Sequence, residues 1–150
     1  MATTVLQAIQ EANTSAGITT LSYANSQEFK AFMDKFAFTD YPVNLVLPFT
    51  ESGVFINRGN KDVVTITGYV WKRVPEDGND WRTMAVETSY INPMRILAKK
   101  FIRALLNTDI VDAEVESVSY TTTPEYAETS GHLFGVRYTV QLPTNINVCI

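Results

Sequence analysis

The sequence VVTITGYVWKRV, from Val63 to Val74, decides the fold because β-branched and aromatic residues dominate it. This composition predicts a long β-strand, and Gly68 in its middle predicts a β-bulge. The sequence PEDGN at 75–79 is typical of a loop. The stretch from Trp81 to Thr88 then predicts a returning strand, so that the two strands form a hairpin.

Three shorter strands are predicted upstream, at Ile18–Tyr23, Val43–Phe49 and Val54–Asn57. Pro48 donates no hydrogen bond to a sheet, so it indicates a strand end or an edge. The sequence NRGN at 57–60 favours a turn.

Two strands are predicted downstream, at Val111–Tyr120 and Phe134–Leu142. Apolar residues alternate strictly with polar ones in the second of these, which is typical of a strand with one buried face. The first changes parity, and a bulge near Glu116 would reconcile its two halves. The connection Thr121–His132 is rich in Thr and Glu and is predicted to be an exposed loop.

Helical spacing of apolar residues predicts helices at Thr4–Asn13, from Ser26 to Phe36, and at Pro93–Leu106 with Asn92 as its N-cap. The second places Phe29, Phe32, Met33 and Phe36 on one face. We therefore predict one α+β domain over residues 1–150, in which a mostly antiparallel sheet of five or six strands carries two main helices packed on one face.

The composition excludes several classes of protein. The 150 residues carry a net charge of -4, which argues against a strongly basic nucleic-acid binder. One cysteine, Cys149, and one histidine, His132, exclude a disulfide framework or a Cys/His zinc site within one chain. The N-terminus lacks signal-peptide features and no apolar stretch is long enough to span a bilayer, so we expect no membrane association and a reducing cytoplasm.

No residue pattern in the chain predicts catalysis. Glu114 and Glu116 would share one strand face and could bind a cation, although a solvated face is the favoured interpretation. His132 and Ser130 belong to no nucleophile motif. The basic and aromatic residues from Tyr69 to Arg73 suit either base stacking or an aromatic set within a sheet, and we favour the sheet. We therefore predict no enzyme activity, no cofactor and no metal.

Charge is unevenly distributed along the chain. No Lys or Arg occurs between Ala104 and Val136, whereas Lys99, Lys100 and Arg103 come directly before this stretch. The acidic residues within it are Asp109, Asp112, Glu114, Glu116, Glu125 and Glu128. We predict separate acidic and basic surfaces, which would suit head-to-tail contact between copies and a closed ring.

The predicted order of elements is a short helix, strands, the loop-tipped hairpin Val63–Thr88, the helix Asn92–Leu106 and a final hairpin over Val111–Leu142. In this order, in size and in acidity the chain resembles the tail terminator, or tail completion, proteins of long-tailed bacteriophages and related head–tail joining proteins. The resemblance implies a non-enzymatic virion protein, assembled in the host cytoplasm as a ring. Six-fold symmetry is favoured and twelve-fold is possible. Tail-tube or head–tail connector proteins would be its partners, and DNA would pass through without specific binding.

Under this resemblance, the loops around Asn57–Asp62, Pro75–Asp80 and Thr121–His132 would contact neighbouring subunits. The candidate interface residues are Arg58, Lys61, Asp77, Trp81, Glu125, Tyr126 and Glu128. Trp81 suits an interface anchor and a core position equally well.

Two other functions stay open. One is a ligand-binding or enzymatic α+β domain with a pocket around His132 or the pair Glu114 and Glu116. The other is a dimeric accessory protein in which the Phe29–Phe36 face packs across a two-fold axis.

Overall fold

The structure is a computed structural model that describes residues 4–23, 36–56, 59–74, 84–128 and 132–144. Six strands and two main helices make up most of it. The strands are β1 Thr20–Tyr23, β2 Val43–Val46, β3 Thr50–Ile56, β4 Gly59–Val74, β5 Tyr120–Glu128 and β6 His132–Thr144. The main helices are α1 Val5–Ala16 and α2 Asn92–Leu106, and a single 3-10 turn occupies Phe38–Asp40.

The six strands form one sheet in the order β1-β2-β4-β6-β5, and β3 pairs with β4 beyond β2. Only the pairing of β1 with β2 is parallel among these strands. The two helices pack together against one face of the sheet, with Phe101 and Leu105 of α2 in the same buried cluster as Ile9 of α1. The predicted α+β class, with a mostly antiparallel sheet and two main helices, is confirmed.

Helix α1 ends one turn later than predicted because its true stop signal is Gly17. At the start, Thr4 and Gln7 form a capping box: the Thr4 hydroxyl accepts from the Gln7 amide, and the Gln7 side chain accepts from the Thr4 amide. At the end, Gly17 has a φ of 73°, a left-handed conformation that glycine adopts without a Cβ clash. The helix therefore continues through Ser15 and Ala16.

The opposite face of the sheet carries a second, smaller cluster of buried residues, which are Val43, Leu45, Trp71 and Leu133. Phe36, Tyr41 and Tyr69 pack against it. All four residues of β2 are buried as a result, because the helices cover one side of this strand and this cluster covers the other. The rest of the predicted Ser26–Phe36 helix falls on residues 24–35, which lie outside the described residues.

The predicted hairpin between β4 and Trp81–Thr88 is wrong. Met84–Val86 is a helical turn and Glu87–Ile91 is a π-helical turn, and both lead directly into α2. Asn92 has helical backbone angles and its amide donates to the Glu87 carbonyl, so it lies within the helical run and its predicted N-cap role is wrong too. Pro93 cannot donate to the carbonyl four residues before it, and a π turn is one way in which a helix accommodates such a break.

The assignments of Val111–Tyr120 as a strand and Thr121–His132 as a loop are also wrong. The hairpin partner of β6 is β5, in register from Tyr120 opposite Val140 to Glu128 opposite His132. Within the described parts of the chain, residues 111–119 belong to no strand and make one isolated bridge, from Val111 to Thr144. Threonine suits strands because of its branched Cβ, and Tyr126 anchors this strand by packing on Phe134.

No bulge occurs at Gly68 or near Glu116. The pairing of β4 with β6 runs without interruption through Gly68, opposite Tyr138. A Cβ at Gly68 would lie 2.5 Å from the Tyr138 hydroxyl and 2.6 Å from the Leu45 carbonyl oxygen. Glycine is therefore present here because a neighbouring side chain occupies the space, not because the strand bends.

Candidate interaction surface

The outstanding surface feature is a two-stranded ribbon, which we call the arm: β3 (Thr50–Ile56) with the start of β4 (Gly59–Asp62). Its strands pair from Thr50 opposite Thr65 to Ile56 opposite Gly59, so only residues 57–58 connect them. Within the described residues, the pairing of β4 with β6 reaches Asp62, which lies opposite Thr144. Every residue of β3 is exposed. The arm therefore extends beyond the covered part of the sheet.

Three consecutive large apolar side chains lie near the end of the arm and are open to solvent. Val54 is 66% exposed, Phe55 is 73% exposed and Ile56 is 51% exposed. Because successive side chains of a strand point to opposite faces, Phe55 lies on one face of the arm while Val54 and Ile56 lie on the other. Three neighbouring apolar side chains this exposed are unusual on a protein surface, so we take the end of the arm as the candidate interaction surface.

The direction of the arm is set where β2 gives way to β3. The Leu47 amide donates to the Thr67 carbonyl at 2.9 Å, Pro48 has no amide hydrogen, and the Phe49 amide contacts the Tyr23 hydroxyl at 3.4 Å. Val46 pairs with Gly68 but Thr50 pairs with Thr65, so this side carries one extra residue. Pro48 therefore lies where one strand ends and the next begins, in agreement with the prediction. The extra residue of the kind predicted at Gly68 and near Glu116 occurs here instead, between β2 and β3.

The base of the arm is packed closely across the two strands. Gly53 pairs with Asp62, and a Cβ at Gly53 would lie 2.5 Å from the Lys61 carbonyl oxygen and closer still to the Asp62 carboxylate. The Asp62 side chain therefore occupies the space that a side chain on Gly53 would need. Beyond this point the arm presents Lys61, which is exposed, opposite Val54.

The opposite edge of the sheet is β5. Its middle residue is Pro124, and its acidic residues are Glu125 and Glu128. Tyr120 is 44% exposed, whereas Tyr126 is partly buried because its ring lies 5.0 Å from that of Phe134. Proline and charged residues on an edge strand discourage another strand from pairing with it.

The structure divides the predicted interface residues between these two surfaces. Lys61 lies on the part of β4 that belongs to the arm, whereas Glu125, Tyr126 and Glu128 lie on β5, and strand β6 separates the two groups. Arg58, Asp77 and Trp81 lie outside the described residues. The sequence did not predict that Val54, Phe55 and Ile56 lie on the surface. Their position just before the NRGN sequence at 57–60 could have indicated it.

The predicted separation of acidic and basic surfaces is wrong at α2. Arg103 shares one surface depression with Asp109, Asp112 and Glu116. A second depression brings Lys99 and Arg103 beside Glu116. The chain folds the acidic segment back beside the basic end of the helix, so neighbouring charges there compensate each other. The acidic residues of β5 belong to a different part of the surface.

The residues considered for chemistry do not converge. Trp71 is buried and stacks on Tyr69 at 5.3 Å between ring centroids, so it cannot stack on bases and belongs to an aromatic set within the sheet, as favoured. Glu114 and Glu116 lie outside any strand. His132 begins β6, and its side chain, like Ser130 and Cys149, lies outside the described residues. Over the described ranges no three His, Cys, Asp or Glu residues form a possible metal site.

None of the helices in the described parts of the chain has the length and apolar character needed to cross a membrane. No protein-family model matches the sequence, and a search of curated proteins finds no significant match.

Proposed function

We propose that this protein is a non-enzymatic structural subunit that assembles with copies of itself through the arm. In keeping with its resemblance to tail terminator proteins, the assembly is a ring at the head–tail or tail-tube junction of a phage, six-fold in the favoured form. The observation that carries the proposal is the run of exposed Val54, Phe55 and Ile56 at the end of the arm.

The energetics favour a contact at this position. Burying a Val, Ile or Phe side chain completely contributes about 1.5–3 kcal/mol relative to leaving it in water. Each face of the ribbon offers apolar side chains to an interface, Phe55 on one and Val54 and Ile56 on the other, while the rest of the domain keeps its own core. In a closed ring every subunit donates one arm and receives one, so the contribution recurs at each contact.

The charge of the chain suits the role that the resemblance implies. With a net charge of -4 per subunit, a ring repels the phosphates of DNA that passes through it. Tail-tube or connector proteins remain the proposed partners at the two ends of the ring.

Native mass spectrometry and light scattering of the full chain at several protein concentrations test the proposal. We expect a closed oligomer for the wild type and dissociation for Phe55→Glu, because a carboxylate at the centre of an apolar contact is left without hydration. Met84→Glu is the matched control, because Met84 is 86% exposed and lies on the helical turn before α2.

A wild type that stays monomeric at all concentrations would contradict the proposal. A two-fold dimer that Phe55→Glu leaves intact would favour the dimeric accessory protein instead. Dissociation by both acidic variants would show a general effect of charge and would also count against the arm.

A further inference from the structure

We propose that the arm of each subunit packs between the arms of its two neighbours, with one face of each arm against the opposite face of the next arm. The occupant of each face is therefore the arm of a second copy of this chain. This inference rests on the proposed function and adds to it the surface that receives each arm.

The two faces of the arm follow from the pairing of β3 with β4. Residues directly opposite each other in an antiparallel ribbon share a face, and successive residues of a strand alternate between faces. Glu51 pairs with Val64, which is buried under the helices, so we call the face on the helix side the inner face. The outer face comprises Ser52, Val54, Ile56 and Lys61, and the inner face comprises Glu51, Gly53, Phe55 and Asp62.

Both faces offer apolar surface that the subunit itself leaves in water. Val54 and Ile56 are exposed on the outer face, and Phe55 is exposed on the inner face although the helices lie on that side. When two arms lie face to face and point the same way, the Phe55 ring of one arm lies over the gap between Val54 and Ile56 of the other. Side chains of facing sheets interdigitate in this manner, with the sheets about 10 Å apart.

The two faces of the arm carry opposite charge. The outer face presents Lys61, which is exposed. The inner face presents Glu51, which is exposed, and the Asp62 carboxylate, which lies over Gly53. Neither Lys61 nor Glu51 takes part in an ion pair with another described residue. Opposite charges on two facing surfaces steer the surfaces together and fix their orientation.

Other charged residues of the sheet lie too far away to cancel this difference. Glu125 is on the outer side but lies across β6 from Trp71, which is about 33 Å along β4 from Lys61. On the inner side, Lys72 is equally far along β4 from Asp62. The charge of each face therefore belongs to the arm itself.

The same charges select one of the three ways in which two arms can pack. Two outer faces together would place Lys61 near its own copy, and two inner faces would bring Glu51 and Asp62 near theirs, so both arrangements are repulsive. An outer face on an inner face joins opposite charges. That contact is head-to-tail, because each subunit uses one face toward each neighbour, and it can therefore repeat around a ring.

Complementation between two blocked variants tests this order. Val54→Glu blocks the outer face and Phe55→Lys blocks the inner face, because each new charge has the sign of the surface that it would meet. Each variant alone is expected to be monomeric. In an equal mixture one contact stays intact, between the inner face of the first variant and the outer face of the second, so we expect a heterodimer that does not grow further.

Native mass spectrometry with one variant isotope-labelled identifies the heterodimer. Met84→Glu, which changes an exposed side chain outside the arm, is the matched control and is expected to keep the full oligomer. Thermal melts check that each variant folds. Val54→Asn and Phe55→Asn, which add no charge, are a second pair for the same experiment.

Three results would overturn the inference in distinguishable ways. A homodimer of either blocked variant alone would show that two like faces pack together. Dissociation by both variants without a heterodimer in the mixture would place the arm on another surface and would leave the proposed function standing. If neither variant dissociates the oligomer, both proposals fail together.

Charge reversal provides an independent test. Lys61→Glu and Glu51→Lys are each expected to raise the dissociation constant about fivefold, and the double variant is expected to recover part of the affinity because opposite signs meet again. Lys99→Glu on α2 is the matched control and is expected to have no such effect. A double variant as weak as the two single effects combined would overturn the inference.

Discussion

Strand β4 passes through two environments, and the contrast between them separates stability from assembly. From Val63 to Val74 it pairs with β6 on one side, β2 pairs with Gly68–Trp71 on the other, and Val64, Ile66 and Val70 are buried under the helices. From Gly59 to Asp62 it forms the arm with β3, whose residues are all exposed to solvent. The same strand therefore holds the core at one end and presents a contact surface at the other.

The contrast teaches that apolar residues have different consequences at the two ends. In the core, Val, Ile and Phe side chains stabilise the fold because they leave water when the chain folds. On the arm, Val54, Phe55 and Ile56 remain in water after folding, so they contribute little to the free energy of unfolding. Substitutions at the two ends are expected to separate these effects.

The largest effect on the free energy of unfolding is expected for a substitution of Gly135, in the core. Gly135 pairs with Trp71, and a Cβ there would overlap the Val70 carbonyl oxygen, which is backbone and cannot move alone. Gly135→Ala is expected to lower the free energy of unfolding by about 3 kcal/mol, measured by urea denaturation. A change below about 1 kcal/mol would show that the centre of the sheet is less rigid than its pairing indicates.

A somewhat smaller effect is expected at Tyr138. Its hydroxyl donates to Asn44 at 2.6 Å, and Asn44 donates in turn to Asn13 at 3.1 Å, all three being buried. This network joins β6, β2 and α1. Tyr138→Phe leaves the Asn44 oxygen without its donor and is expected to cost about 1–3 kcal/mol. Thr139→Val, on the other face of the same strand, serves as the comparison; an equal loss there would contradict a special role for the network.

The pH dependence of stability provides a further test of how deeply the core tyrosines are buried. Burial raises the pKa of Tyr138 above its usual value and raises the pKa of Tyr41 to about 12. In the unfolded chain both titrate near 10, so ionisation favours the unfolded state as the pH rises. Stability is expected to be intact below pH 10 and to fall above it. Tyr138→Phe is expected to flatten that fall in denaturation curves, and an unchanged slope would count against the argument.

At the arm, Gly53→Ala is expected to have a moderate effect. The new Cβ meets the Asp62 carboxylate and the Lys61 carbonyl oxygen, but among the described strands β3 pairs with β4 alone and can move away. We expect a loss of about 1 kcal/mol by urea denaturation, together with weaker assembly, because the arm changes direction. A loss as large as that of Gly135→Ala would mean that the arm is as tightly held as the core.

The smallest effect on stability is expected at Phe55. Phe55→Ser is expected to change the free energy of unfolding by less than about 0.5 kcal/mol, because the side chain is already exposed. The same variant is expected to weaken the oligomer in light scattering. A clear loss of stability in the monomer would show that Phe55 packs within its own subunit.

The elements with long, regular patterns were predictable from the sequence. The alternation in β6 and the helical spacing in α2 predict both elements, and their contacts confirm the α+β class. Strand β5 was misplaced because residues 111–120 and 120–128 are both rich in β-branched residues. Only the packing of Tyr126 on Phe134 and the pairing with β6 decide between them.

The candidate site was less predictable for a physical reason. Apolar side chains in a strand usually indicate burial, and nothing local to Val54, Phe55 and Ile56 shows that these side chains stay open to solvent. Exposure depends on which distant strand covers a residue. Lys61 and Glu125 were predicted as interface residues, but their placement on two strands that β6 separates follows from strand order alone.

The pairing of β4 with β6 also affects how the protein is made. Among the residue pairs of these two strands, Val74 and His132 are the closest along the sequence, and Asp62 and Thr144 are the farthest apart along it. A ribosome therefore releases the apolar arm and the whole of β4 well before the strand that completes the sheet. During that interval the apolar residues of β4 lack their β6 partner, and such long-range strand pairing forms slowly and leaves unpaired edges open to aggregation.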